Sequence, residues 1–148
     1  MKIYSRASGG AVMIWRNRMS TGMNEKRKNQ RVPEKADVTI VVKSAPEALD
    51  LEDRTFPSRS IDISVSGLQL IVNTDIPVGA KVQIKVMFSH LTLEYWHSGV
   101  IIWNDKYDAD KPDTDEHTIG IRIDSLEDGR FFAWYSAIKE LFDRHGLP

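Results

Sequence analysis

Apolar and polar residues alternate with a period of two through most of the chain. Val38, Ile40 and Val42 interleave with Thr39, Val41 and Lys43, the pattern of a strand with one buried face. Residues 58–63 and 68–73 form two further strands joined by a turn at 64–67. Val82, Ile84, Val86 and Phe88 mark a fourth. Ser89-His90 is short enough for a hairpin connection into a long fifth strand at 91–103, in which Gly99 is a candidate bulge. Residues 117–123 form the sixth. Between these runs lie the breakers: 44–57 holds Pro46 and Pro57 and reads as a connecting loop, 74–79 holds Pro77 and Gly79, and 104–116 is rich in aspartate.

The period then changes. Phe131, Trp134, Tyr135, Ile138, Leu141 and Phe142 recur at helical spacing and define one apolar face. Ser125 suits the cap, Glu127 and Asp128 suit the first turn, and Gly146 suits the residue that ends the helix. A helix over 125–145 follows. The expected fold is all-β with one C-terminal helix: a six-stranded antiparallel barrel flanked or plugged by an amphipathic helix.

Composition narrows the function. With 41% hydrophobic and 28% charged residues, 148 residues make one ordinary globular domain with some tail. The absence of cysteine removes disulfides, thiol nucleophiles and zinc–thiolate sites. No apolar run reaches the ~18 residues of a membrane span. Arg16 and Arg18 directly follow the short apolar stretch 11–15, which argues against a signal peptide, so a cytoplasmic protein is expected.

The net charge of −1 hides an asymmetry. Residues 1–35 carry nine basic and two acidic residues, a balance of +7, and residues 36–148 carry eleven and nineteen, a balance of −8. We read 1–23 as a disordered extension, 24–35 as a basic arm that clamps a ligand and 36–148 as the barrel with its helix. An anion is the natural partner of the arm. A polyanion is not, because the acidic body would repel it and no stripe of aromatics offers a stacking platform.

Two short motifs carry the chemistry. Arg27-Lys-Asn-Gln-Arg31 places two guanidinium forks in the arm, suited to phosphate oxygens and to the O6/N7 edge of guanine. Lys26 and Lys28 add general attraction. Asp62-Ile-Ser64-Val-Ser66-Gly67 places a carboxylate, hydroxyls and backbone N–H groups at a turn. Each motif also has a plain reading, as solvated charge and as an ordinary Asp/Ser/Gly turn. The acidic stretch 105–116 lacks the glycine and distal glutamate of a calcium loop, and His90, His97, His117 and His145 lack metal-ligand spacing. Trp96, Trp103 and Trp134 read as core or rim packing. Nothing in the sequence assembles a catalytic constellation or a cofactor site, so an enzyme is not expected.

Taken together, R-x-x-x-R, then a strand, then D-x-S-x-x-G resembles the signature pair of the PilZ domain family. Gly99-Val-Ile-Ile-Trp103 and Thr118-Ile-Gly-Ile-Arg122 look like its framework. The resemblance covers roughly residues 25–145 and departs from the family in a long 44–57 loop. It implies a six-stranded barrel that binds the second messenger cyclic di-GMP. Arg27 and Arg31 would hold phosphate and a guanine edge, and Asp62, Ser64 and Gly67, with Ser66 as a secondary candidate, would contact a guanine. The output would be a changed surface offered to a protein partner. The alternatives are a barrel of the same type used only for protein interaction, and a small-barrel nucleic-acid binder.

Overall fold

A computed structural model describes residues 30–106, 115–124 and 131–146. Six strands and one helix appear in the expected order: β1 (Asp37–Ser44), β2 (Thr55–Ile63), β3 (Gly67–Val72), β4 (Lys81–Met87), β5 (Glu94–Lys106), β6 (His117–Ile123) and α1 (Phe131–Arg144). All neighbouring strands are antiparallel, and the sheet closes as β1-β2-β3-β6-β5-β4. Closure removes exposed sheet edges. The barrel interior is filled by the alternate residues that the pattern marked: Val38, Ile40, Val42, Leu68, Leu70, Ile84, Val86, Ile101, Ile119 and Ile121 are all buried.

α1 closes one end of the barrel. Its apolar face buries Trp134, Ala137, Ile138, Leu141 and Phe142, with Phe131 and Tyr135 half-buried beside them. The Trp134 indole sits 4.4 Å from the His97 ring, 5.6 Å from Tyr95 and 6.0 Å from Phe88, centroid to centroid. Burial, and then the nearby Glu140 charge, raises the Tyr95 hydroxyl above its usual pKa, so it stays neutral at pH 7. Gly146 takes φ +69°, the left-handed ending expected of it. The expected cap at Ser125 and the helical residues 125–130 lie outside the described residues.

Three local readings change. β2 starts at Thr55, so Pro57 stands inside a strand opposite Thr39 rather than in a loop. The connection is shortened by a 3-10 turn at Leu49–Leu51 and by Asp53 at φ 67°, which returns the chain directly onto β1 through two backbone bonds with Val42. Gly99 is no bulge: it pairs in register with Val82 and Ile123. It is needed because a Cβ there would meet the Arg122 carbonyl oxygen at 2.7 Å. The register shifts fall between Val42 and Ser44, between Ser60 and Asp62, and between Ile101 and Trp103. No helix among the described residues is long and apolar enough to cross a membrane.

Candidate functional site

The described segment just ahead of β1, residues 32–36, stays on the barrel. Val32 and Ile63 exchange two backbone hydrogen bonds, at 2.8 and 2.9 Å, and Val32 is fully buried. Ser60 adds a second tie: its hydroxyl donates to the Glu34 carbonyl and accepts from the Ala36 N–H. Residues 32–36 therefore run as an irregular continuation of β1 along the end of β2. This docking carries Arg31 to the rim, where its Nη1 donates to Asp62 Oδ1 at 2.7 Å. The pair is 31 residues apart in sequence and mostly buried, with side chains 12% and 14% exposed. A charge-assisted bond of this length in a partly dehydrated setting fixes both groups. His145, just past the end of α1, reaches the same segment, with Nε2 2.9 Å from Glu34 Oε1.

Asp62 faces outward because of the bulge. Ser60 pairs with Leu70 and Ile63 with Leu68, pairs whose side chains are buried. The extra residue, Ile61, shifts the alternation so that Asp62 pairs with Gln69 on the outer face. Bulges re-aim side chains in this way. The bulge in β5 does the same for Trp103, which pairs with outward Gly120 instead of joining the barrel core. Its indole lies flat enough over Gly120 that a Cβ there would overlap Nε1. Since residues paired across a ladder share a face, one outer row runs Asp62, Gln69, Gly120, Trp103 across four strands. Arg31 extends it at the Asp62 end.

The turn beside this row is rigid. The Ser64 N–H donates to the Gly67 carbonyl at 2.8 Å, and the Gly67 N–H donates to Ser64 Oγ at 3.1 Å. Ser64 is 1% exposed, so its hydroxyl works within the turn. Ser66 Oγ lies 3.4 Å from Ser64 Oγ, and the Ser66 carbonyl accepts from Ile123 N–H. Gly67 does not need a left-handed dihedral, since only Gly79 and Gly146 among the described glycines have positive φ. It needs the missing side chain: a Cβ would drive into the Ile121 carbonyl oxygen of β6. Finally, Trp134 Nε1 donates to the Val65 carbonyl at 2.9 Å, tying the turn to α1.

The structure thus brings Arg31, Asp62, Ser64, Ser66 and Gly67 to one rim, while Arg27, Lys26 and Lys28 lie outside the described residues. Sequence reasoning passed over Gln69, set down as an ordinary strand residue, and left Trp103 as packing. Their place in the row depends on two single-residue bulges that the alternation pattern does not announce. Among the described residues no cluster of three or more His, Asp or Glu side chains is placed to hold a metal ion.

Comparison with known proteins agrees with this architecture. A similar fold is seen in the PilZ domain of YcgR from Escherichia coli solved with c-di-GMP, with TM-score 0.56 and 16% identity over 78% of this chain and 91% of that one. It is also seen in the Bacillus subtilis inhibitor of motility MotI/DgrA, with TM-score 0.54 and 12% identity over 78% of this chain. The chain spans about half of that second protein, 49%. No curated protein matches the sequence. The model of the PilZ domain matches residues 25–131, a span that takes in both motifs and all six strands, and the chain belongs to the PilZ domain family.

Proposed function

We propose that this protein is a cyclic di-GMP receptor that passes the signal to a protein partner by changing its surface. The observation that carries the reading is the 2.7 Å bond between Arg31 and Asp62. It joins the arginine motif to the aspartate motif at the barrel rim, beside a turn braced by Ser64 and Gly67. PilZ domains are receptor domains that typically bind this dinucleotide.

The chemistry of the parts fits the ligand. Cyclic di-GMP carries two phosphates and two guanines. Arg31, with Arg27 four residues before it, supplies planar donors for phosphate oxygens and for guanine O6/N7. Asp62 faces out of the sheet, where a carboxylate accepts from guanine N1–H and N2–H₂. The +7 balance of residues 1–35 draws an anion to the arm. The output follows from connectivity: Val65 in the turn is bonded to Trp134 of α1, and Glu34 in the docked segment meets His145. A ligand that shifts the turn or the segment therefore loads the helix at two points. A cytoplasmic setting fits this role, since that is where a bacterial second messenger is made.

Side-by-side titration with cyclic di-GMP, GMP, GTP and cyclic AMP tests the reading. Cyclic di-GMP should bind far more tightly than the others, because only a two-base ligand engages both motifs. Equal affinity for GMP and cyclic di-GMP would overturn it.

A further inference from the structure

Gln69 occupies an anomalous position for an outward-facing residue of β3. It pairs with Asp62 on one side and Gly120 on the other, on the outer face of the barrel. Yet it is only 5% exposed, and its Nε2 is buried with no hydrogen-bond partner among the described residues. An amide N–H₂ shut away without an acceptor is destabilising, and such groups in a folded protein call for an explanation. The donor is not in the core, where an apolar residue would serve. It stands one strand from the Asp62 carboxylate and one strand from the glycine that Trp103 covers.

We propose that Gln69 is a specificity-determining residue of the dinucleotide site, pairing with Asp62 to read one guanine. This rests on the receptor reading above. The Watson–Crick edge of guanine presents two donors, N2–H₂ and N1–H, followed by one acceptor, O6. Asp62 is an acceptor for the two donors, and Gln69 Nε2 beside it is a donor for O6. Cross-strand neighbours have Cβ atoms roughly 5 Å apart, a spacing from which two side chains reach adjacent atoms of one base edge. The Arg31 bond orients the carboxylate without occupying the amide. Adenine offers the opposite order, a donor at N6 where guanine has O6, and leaves Nε2 facing another donor. The unpartnered N–H₂ is then a group held for the ligand: unsatisfied in the free protein and satisfied by O6 when the base enters.

The test uses the full chain and two variants of the measurement. Gln69→Leu keeps the side-chain bulk and removes the amide. Because it removes an unsatisfied buried group, its melting temperature should equal or exceed that of the parent. Its affinity for cyclic di-GMP should fall about 3- to 10-fold, the scale of one neutral hydrogen bond. Its preference for cyclic di-GMP over cyclic di-AMP should narrow by a similar factor. In the parent, the Gln69 side-chain N–H₂ resonances should shift downfield on saturation with cyclic di-GMP, a readout that stands even if the variant folds poorly. Parent binding with an unchanged Gln69→Leu affinity, or with unmoved amide resonances, overturns the role of Gln69 and leaves the receptor reading standing. A parent that does not bind cyclic di-GMP overturns the receptor reading, and this inference with it.

Discussion

Trp134 in the C-terminal helix donates its indole N–H to the carbonyl of Val65, 69 residues earlier, inside the Asp62–Gly67 turn. The bond is buried, and it makes the helix a structural partner of the turn. Through it, packing of the indole against Phe88, Tyr95 and His97 holds the turn in place.

Trp134→Phe should therefore act on both stability and ligand. The ring still fills most of the space, but the Val65 carbonyl loses its donor, at a cost of about 1–3 kcal/mol for an unsatisfied buried group. The melting temperature should drop, and amide exchange at Ser64 and Gly67 should quicken more than exchange in β4. Uniform quickening across the barrel would mean that the bond does not act on the turn in particular.

Arg31→Ala should weaken cyclic di-GMP binding by about 1.5–3 kcal/mol, the scale of a hydrogen bond to a charged group. Stability should fall as well, by about 1–3 kcal/mol, since the mostly buried Asp62 carboxylate is left without its charged partner. Titration paired with a thermal melt separates the two effects. Unchanged binding would remove Arg31 from the site.

Gly67→Ala tests the close approach of β3 to β6. Even one methyl group meets the Ile121 carbonyl oxygen, so the strands must part. Overpacking of this kind costs about 1–3 kcal/mol. Gly67→Val should be worse, and both should lose ligand along with stability. A Gly67→Ala protein that melts like the parent would contradict the packing described.

Val32 and Ile63 should show slow amide exchange in the free protein, because each N–H donates to the other's carbonyl and both residues are fully buried. Exchange as fast as in an unstructured peptide would mean that the segment carrying Arg31 is not docked before ligand arrives.

The period-two runs gave the strands along the chain and the buried face, because the barrel interior is filled mainly by apolar side chains and those were spaced for it. The six strands and the helix were legible for that reason, and so was the left-handed ending at Gly146. What stayed hidden were departures of a single residue. Ile61 and the residue between Ile101 and Trp103 each shift the alternation by one, and so place Asp62 and Trp103 on the outside. Pro57 looked like a strand breaker but lies within β2. The need for glycine at 67 came from a neighbouring strand, 54 residues on at Ile121, which no local pattern records. The candidate site was legible as two motifs. Their contact through Arg31 and Asp62 was not, because it depends on Val32 pairing with Ile63.

The account stands most directly on one calorimetric comparison, cyclic di-GMP titrated into the parent protein and into Asp62→Ala. The parent should give a saturable heat. Asp62→Ala, which loses the acceptor for guanine N1–H and N2–H₂ together with the anchor of Arg31, should keep its fold and lose most of that heat. Identical heats in the two proteins, or none in the parent, would contradict the claim that this rim binds the dinucleotide.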